Sequence, residues 1–394
     1  MASKACMLAV VAATGLLGLA AGQPSSSDGR LDQALRALWD EQFSAAQELA
    51  QDLAQSDAPD GARAWVIVAA ARQRLGRHDD AAQAYRQFLA VCQDSGEKQY
   101  ALRQIELCRQ SSQPAPAAQA PSQGLSQEEL ARLAEVQEQI SIETTEHFVV
   151  RAPNSALAKL VARQSESALA HICRDLLGEP DYPHSVEIFI WADQSAYRAN
   201  APGPSDQWAG GSFTLRQDQG RTIRRIDLMQ LGQDRKFDAA MIDRVLPHEM
   251  CHLVLVEFFG QAHCPLALSE GLAMAAEPVA NKANIVLAGA ALAGQKKISL
   301  HDMLAARCCD AGNAAVFYAE SYSLVNYLQC RLAPEAFKEM LQQLKAGCCL
   351  EEALQRAVCM PAEEGFLDRL GAAWENDAIR NAQFIQALET RSAL

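Results

Sequence analysis

The chain has 394 residues, more than one ordinary domain needs, so we expect two domains and room for a small additional module. Apolar residues make up 49% of the chain and charged residues 21%, which excludes a wholly disordered protein. The formal net charge of −13, without a basic tract, argues against nucleic-acid binding, because neutralised phosphates supply most of that affinity.

Residues 1–22 have the layout of a signal peptide. Lys4 precedes an apolar run from Cys6 to Ala21, and Ala20-Ala21-Gly22 supplies the small residues of a cleavage site. We therefore expect export, cleavage after Gly22 and no stable membrane span in the mature chain. The alternative is an uncleaved membrane anchor, which the short apolar run, interrupted by glycines, disfavours.

Residues 30–110 predict an all-α module. A set of large and small residues falls at the spacings of a tetratricopeptide helix pair: Trp65, Ala69, Gly76, Ala81, Tyr85 and Phe88. A degenerate copy lies 36 positions earlier, with Ala45, Ala46, Leu49 and Leu53 in place of Ala81, Ala82, Tyr85 and Leu89. The module therefore resembles one and a half to two tetratricopeptide units, with a third helix near Gln99–Arg109, and such a module implies a protein partner. The alternative is a generic helical bundle.

Residues 111–125 are rich in proline, alanine, glutamine and serine, a composition typical of an extended linker. We expect residues 126–394 to form a second domain, which light proteolysis of the linker should separate from the first. It starts with a helix from about Ser126, a strand-like run over Ile140–Arg151 and an amphipathic helix over Ala156–Leu177.

Three more strands are predicted in this domain, and helices follow from about Asp238. The strands cover Val186–Trp191, Trp208–Leu215 and Ile223–Leu228. Strands followed by helices indicate an α+β domain.

The sequence His-Glu-Met-Cys-His occupies positions 248–252. On a helix, His248 and His252 share one face and can hold one zinc ion, while Glu249 lies beside them to take a proton from water. The apolar run Leu253–Val256 predicts a buried helix. Burying two histidines and a glutamate without compensation is costly, and a bound metal would explain it.

Glu270 lies eighteen positions after His252, in the segment Pro265–Ala273. A carboxylate on a second helix is the third protein ligand of His₂Glu zinc sites, and three ligands leave one position open for chemistry. We predict that His248, His252 and Glu270 bind one Zn²⁺ per chain and that Glu249 is the general base.

These motifs, HEMCH followed by LSEGLA, resemble the gluzincin metallopeptidases, and specifically the bacterial peptidase-MA-like domains. Glu146–Val150 is similar to their opening strand, Trp208–Leu215 to their edge strand, and Phe317–Leu328 to a helix that bears tyrosines. The resemblance implies a thermolysin-like fold with a small mixed sheet followed by helices. It also implies zinc-dependent hydrolysis of a peptide or protein substrate, in the periplasm or outside a bacterial cell.

Two positions depart from the pattern of thermolysin-like members. Met274 stands where an acidic residue would orient a zinc histidine, and Glu277 is the candidate to replace it. Pro247 removes one helix hydrogen bond immediately before His248, which predicts a kink.

Two tyrosines, Tyr318 and Tyr322, lie one helical turn apart. By resemblance, Tyr318 is preferred as the donor that stabilises the oxyanion, and Tyr322 or simple core packing is the alternative. His147 is expected to be structural, and His263 is expected to face solvent.

Cleavage of the signal peptide would leave eleven of the twelve cysteines, so at least one thiol stays outside disulfides. No zinc-finger spacing is present, and adjacent doublets such as Cys308-Cys309 rarely bridge each other. We expect buried thiols, Cys251 among them, and one or two disulfides whose pairing stays open.

Three classes of function fit the sequence. The leading hypothesis is an exported zinc peptidase. The second is a binding or scaffold protein that acts through the tetratricopeptide-like module and carries a weakly active peptidase fold. The third is an amidase that acts on cell-wall peptides.

Overall fold

The structure is a computed structural model that describes residues 28–39, 42–56, 61–75, 77–92, 98, 101–102, 104–105, 108–109, 122, 124–179, 181–201, 210–278, 282–309, 312–332, 334–357 and 365–392. The predicted signal peptide, residues 1–22, and most of the predicted linker, residues 111–125, lie outside these ranges. No helix within the described ranges has the length and apolar character needed to cross a membrane.

The described residues form fifteen α-helices, two π-helical segments and five strands. The first helices are α1 (Asp28–Trp39), α2 (Phe43–Ala54), α3 (Gly61–Arg74), α4 (His78–Val91) and α5 (Gln127–Ala134). The α/β part comprises β1 (Ser141–Thr144), β2 (Phe148–Ala152), α6 (Ser155–Ala170), π1 (His171–Leu177), β3 (Val186–Trp191), α7 (Gln194–Asn200), β4 (Gly211–Asp218) and β5 (Arg221–Met229). The helical remainder comprises π2 (Met241–Val245), α8 (Leu246–Phe259), α9 (Leu266–Ala275), α10 (Lys282–Leu292), α11 (Leu300–Ala305), α12 (Ala314–Arg331), α13 (Pro334–Lys345), α14 (Leu350–Ala357) and α15 (Phe366–Ser392).

The chain divides into two compact units. One comprises residues 1–117 together with 326–378, and the other comprises residues 118–325 and 379–394. The sequence predicts a boundary at residues 111–125, close to the first of these division points. The sequence instead predicts that residues 326–378 belong to the C-terminal domain, whereas contacts assign them to the N-terminal unit.

In the first unit, helices α1 to α4 pack against one another in chain order. Alanines dominate their buried seam, and the Tyr85 hydroxyl on α4 donates to Gln73 Oε1 on α3 at 3.0 Å. The described residues between 98 and 109 are also helical. The prediction of helices in this region is confirmed for the described residues, whereas its tetratricopeptide character stays a prediction.

The second unit contains a five-stranded mixed sheet in the order β1-β2-β3-β5-β4. The two central pairings, β2 with β3 and β3 with β5, are parallel, and the outer pairings are antiparallel. Strands β4 and β5 form a hairpin whose two turn residues, Gln219 and Gly220, have φ angles of 47° and 82°. Positive φ at both turn positions matches the twist of the paired strands.

One face of the sheet is apolar and supports the helices of the site. Its buried residues are Phe148, Val150, Val186, Ile188, Ile190, Ile226 and Leu228. Helix α6 packs on β1 and β2, and α8 packs on β4, β5 and α6. The α+β prediction with a small mixed sheet followed by helices is confirmed in these residues.

The predicted strand over Ile140–Arg151 is two strands in the structure. A turn at Thr145–His147 separates β1 from β2, and Thr145 N–H donates to Phe148 O at 2.9 Å. The prediction of one strand was wrong because the turn contains no glycine or proline. Instead, Glu166 on α6 accepts a hydrogen bond from His147 N–H at 2.9 Å and holds the turn.

The chain enters α8 through the π-helical segment π2. Leu246 N–H bonds to Met241 O across five residues, and Pro247 stands in the first turn of α8, where a missing N–H has little cost. Ser122 donates to Asp243 in π2 through its backbone N–H, at 2.9 Å, and through its hydroxyl. The structure thus shows a change from π- to α-helical bonding next to Pro247, and the kink predicted there stays a prediction.

Candidate functional site

Helices α8 and α9 bring together the three side chains that the sequence predicts as metal ligands. His248 Nε2 and His252 Nε2 lie 3.1 Å apart. Glu270 Oε2 lies 3.7 Å from the first of these nitrogens and 3.3 Å from the second. One ligand atom of each residue lies within 4.8 Å of the others, so this group could hold a metal ion.

The separations fit a tetrahedral ion. Ligand atoms about 2.0–2.1 Å from a zinc ion in a tetrahedral arrangement lie about 3.3 Å from one another. The three observed separations, 3.1, 3.3 and 3.7 Å, lie close to this value. The side chains are 22%, 13% and 12% exposed for His248, His252 and Glu270, so the group is largely shielded but reachable. The donor set of two imidazoles and one carboxylate is that of a catalytic zinc site.

A second layer of contacts orients both imidazoles. His248 Nδ1 lies 3.6 Å from Glu277 Oε1, and His252 Nδ1 lies 3.2 Å from Ser269 Oγ. Glu277 is buried and also contacts Arg244 Nε at 3.2 Å. When Nε2 binds a metal, Nδ1 carries the proton and donates it to such a partner, which fixes the ring. The acidic partner that the sequence lacks at Met274 is therefore supplied by Glu277.

The site holds opposite charges close together. Burial lowers the pKa of His248, but the neighbouring carboxylates of Glu270 and Glu277 and the charge of Glu249 outweigh burial and raise it to about 9. Burial raises the pKa of Glu270, but the neighbouring imidazoles of His248 and His252 prevail and lower it to about 2. The carboxylate of Glu270 is thus held ionised and ready to bind a cation.

Glu249 lies next to this group and is placed differently. Burial raises its pKa, and the neighbouring His248 and His252 only partly offset this effect. The backbone N–H of Phe213 on β4 donates a hydrogen bond to its carboxylate, and the Phe213 ring stacks on His252 with 5.8 Å between centroids. The edge strand of the described sheet therefore runs directly beside the candidate base.

Helix α12 crosses α9 next to Glu270. A Cβ atom at Gly271 would lie less than 3.0 Å from the Ser321 carbonyl oxygen and from Val325 Cγ2, so only glycine permits this approach. Tyr318 and Tyr322 flank Ser321 on α12. Tyr318 is 38% exposed, whereas Tyr322 is buried at 3%.

The remaining predicted residues lie outside the metal group. Cys251 is a fully buried thiol whose pKa is raised well above its usual value by burial, as predicted for a packing residue. His147 contacts Glu166 Oε2 through Nδ1 at 2.8 Å, which agrees with a structural role. His263 is exposed, in the loop between α8 and α9, as expected.

Another contact, partly buried, anchors the C-terminal half of α8 and was missed from the sequence. Glu257 accepts hydrogen bonds from Arg224 Nε on β5, at 2.7 Å, and from the Tyr182 hydroxyl. Phe213, Ser269 and this cluster have no spacing signature, because only the folded chain brings them to α8. The one sequence signal was that Glu257 interrupts an apolar run on a helix predicted to be buried.

Residues 181–376, just under half of the chain, match the model of a family described as the Peptidase MA superfamily. The matched segment contains the three clustered side chains, the candidate base and both tyrosines. No curated protein and no solved structure matches the chain significantly. The family match supports a metallopeptidase-type domain over these residues.

Proposed function

We propose that this chain is an exported zinc-dependent peptidase in which His248, His252 and Glu270 hold one Zn²⁺ per chain. The observation that carries this proposal is the near-tetrahedral spacing of the three ligand atoms, at 3.1, 3.3 and 3.7 Å. The imidazole partners Glu277 and Ser269 and the family match support it further.

A zinc ion bound here supplies a Lewis acid that polarises the scissile carbonyl and makes water more acidic. Glu249 accepts the proton of the attacking water and delivers it to the leaving amine. Burial raises the pKa of Glu249, which makes its carboxylate a stronger proton acceptor. The Phe213 N–H and the adjacent histidines hold its carboxylate in place.

The substrate is an extended peptide that pairs with β4. This strand lies at the edge of the described sheet, so the backbone groups that face away from β5, apart from the Phe213 N–H bound to Glu249, can pair with a peptide. The Phe213 backbone contacts Glu249, so a peptide beside β4 passes close to the base. Tyr318, the more exposed of the two tyrosines, donates its hydroxyl hydrogen to the oxyanion.

Export rests on the signal-like layout of residues 1–22, and we expect the mature protein to begin near Gln23 in the periplasm or outside the cell. N-terminal sequencing of the exported protein tests this, and a mature chain that starts at Met1 would contradict it. The tetratricopeptide-like residues 30–110 would recruit a protein partner.

The test separates the base from the ligands. Glu249→Gln keeps the side-chain size but cannot accept a proton, so it should retain about one zinc per chain and lose about 10²-fold or more in turnover. Glu270→Ala should lose both metal and activity, because one of three ligands is gone. Zinc content by atomic absorption and digestion of a peptide library measure the two effects, with the exposed Glu146→Gln as matched control.

Four results would redirect the proposal. If Glu270→Ala keeps full zinc occupancy, the third ligand lies elsewhere. If Glu249→Gln keeps full activity, hydrolysis does not use this base. Zinc binding without digestion of any peptide would favour the scaffold function, and digestion of cell-wall peptides alone would favour the amidase.

A further inference from the structure

A groove of about 620 Å³ lies along the C-terminal half of α8, beyond the metal group. It runs between α8, the loop that leads to α9, the start of α9 and the residues after α11. Its lining residues are Leu255, Val256, Phe259, Gly260, Ala262, His263, Cys264, Leu266, Ser269, Ala306 and Arg307. None of the three clustered ligands and neither Glu249 nor Phe213 belongs to this lining.

The floor of the groove is apolar. Val256, Phe259 and Leu266 line it from two helices, and Val256 is 46% exposed although it is a large aliphatic residue. An exposed apolar surface inside a concave region of this size is typical of a ligand site. A ligand with an apolar group would remove the Val256 surface from water.

Polar groups also line the groove. Arg307 is exposed, and within the described part of the chain its guanidinium has no ion pair or hydrogen bond. His263 lines the groove as well, and no aspartate or glutamate is present among the described lining residues. The first turn of α9, with Leu266 and Ser269, also faces the groove and presents the positive end of that helix.

The inner wall of the groove reaches the metal group through one side chain. Ser269 lines the groove, and its Oγ lies 3.2 Å from His252 Nδ1. Only the Ser269 hydroxyl therefore lies between the groove and the candidate metal ligand His252.

We propose that this groove binds a carboxylate that is attached to a short aliphatic group. The carboxylate pairs with Arg307, whose planar guanidinium matches it with two parallel hydrogen bonds, and the aliphatic group packs on Val256, Phe259 and Leu266. Two sources share this chemistry: the C-terminal residue of a peptide and a free short-chain carboxylic acid. The site needs no metal, so it stands apart from the proposed peptidase function.

The test is a binding titration of the full metal-free chain by isothermal calorimetry. The probes are N-acetyl-Ala-Ala-Leu with a free carboxylate, the same peptide as its C-terminal amide, and octanoate. The free acid should bind about tenfold more tightly than the amide, because the amide cannot form a charge-assisted bond with Arg307. Binding of the peptide but not of octanoate assigns the site to peptide C-termini, and the reverse assigns it to free acids.

Two substitutions locate the site. Arg307→Gln should weaken binding of the acid about tenfold and leave the amide unchanged, and Arg221→Gln, an exposed arginine outside the groove, should change neither. Val256→Glu should weaken the acid at least tenfold, whereas Ile142→Glu on β1, where Ile142 is 61% exposed, should have no effect. The proposal is overturned if no acid binds, if acid and amide bind equally, or if the groove variants behave like their controls.

Discussion

At the scale of single residues, both imidazoles of the candidate centre have their two ring nitrogens engaged. Each Nε2 points at Glu270, while Nδ1 of His248 faces Glu277 and Nδ1 of His252 faces Ser269. The carboxylate partner of His248 makes that ring a stronger electron donor than the hydroxyl partner makes His252. The two histidines are therefore unequal as ligands, although the motif presents them as a symmetrical pair.

Tyr318 and Tyr322 should respond in opposite ways when the hydroxyl is removed. Tyr318→Phe should lower turnover of a peptide substrate about 10²-fold with zinc content unchanged, because an oxyanion donor acts only in the transition state. Tyr322→Phe should leave turnover within a few-fold and lower the free energy of unfolding by about 1 kcal/mol, because a buried hydroxyl is lost. Steady-state kinetics and urea unfolding of both variants check this. Equal turnover in the two variants would remove Tyr318 from the mechanism.

At the scale of elements, the crossing of α9 and α12 sets the position of Glu270. Gly271→Ala should lower the free energy of unfolding by about 1–3 kcal/mol, because the new methyl group meets the Ser321 carbonyl and Val325 at less than 3.0 Å. The same displacement should weaken zinc binding, since Glu270 is the neighbouring residue on α9. Thermal unfolding and a zinc titration measure both effects. Gly232→Ala is the control, because a Cβ atom at Gly232 would have its nearest neighbour, Asp234 Oδ1, at 3.4 Å, which is ordinary contact. If Gly271→Ala left both stability and zinc binding unchanged, that result would contradict the close crossing of α9 and α12.

The contact between α6 and the β1–β2 turn should make stability depend on pH. Burial raises the pKa of Glu166, but hydrogen bonds from His147 and Thr145 outweigh it and lower the pKa below its usual value. A carboxyl with a lowered pKa stabilises the fold above its unfolded-state pKa of about 4.3, and this stabilisation is lost as the pH falls through the folded-state pKa. Glu166→Gln should therefore cost about 1–2 kcal/mol at pH 7 and progressively less below about pH 4.

Urea unfolding at several pH values measures this difference, with the exposed Glu138→Gln as control. If Glu166→Gln lowers the free energy of unfolding by the same amount at every pH, including below about pH 4, then the hydrogen bonds do not depend on the charge of the carboxylate.

The elements that the sequence predicts best are those with strong periodicity or a capping signal. Strand Val186–Trp191 has the predicted bounds, because alternation marks it. The helix predicted from about Ser126 starts at Gln127, and in the structure Ser126 and Glu129 form a capping box at its beginning. The second hairpin strand, β5, extends beyond the predicted Ile223–Leu228 at both ends. Of the strand predicted over Trp208–Leu215, Trp208 and Ala209 lie outside the described residues, and β4 covers Gly211–Asp218, beyond the predicted end at Leu215. Neither π segment has a sequence signature, since i→i+5 bonding arises from packing and not from composition.

The same limit applies within the site. His248, Glu249, His252 and Glu270 follow a spacing rule, so their grouping was predictable before the fold was known. Glu277 was a candidate because it lies seven positions after Glu270, close to Met274, where an acidic residue was expected. Ser269 and Phe213 were not predictable, because a serine and a phenylalanine fit many environments and only the tertiary approach of α9 and β4 to α8 gives them a role.

At the scale of the whole molecule, the N-terminal helices and residues 326–378 belong to one compact unit. Arg74 on α3 and Asp377 on α15 lie 3.8 Å apart with side chains only 5% and 6% exposed. Elastase, whose pocket accepts small residues, should cut the Ala-rich tract within residues 111–121. The two fragments should nevertheless elute together in size-exclusion chromatography, because they contribute to one compact unit and share this buried ion pair.

Asp377→Ala should loosen this association, and denaturant should separate the fragments of the unmodified chain. Separate elution of the fragments in native buffer would instead support fully independent domains on either side of residues 111–125.

The open edge of β4 also bears on the solubility of this protein. An unpaired strand edge accepts any extended chain, including β4 of another copy, and so can seed aggregation. The charged half of the strand, Arg216 to Asp218, and the adjacent Arg221 oppose such self-pairing, but Gly211–Leu215 beside Glu249 carries no charge. The segment that we propose to pair with a substrate is therefore also the least protected against precipitation. Substitutions that tighten peptide binding at this edge would therefore lower the solubility of the protein.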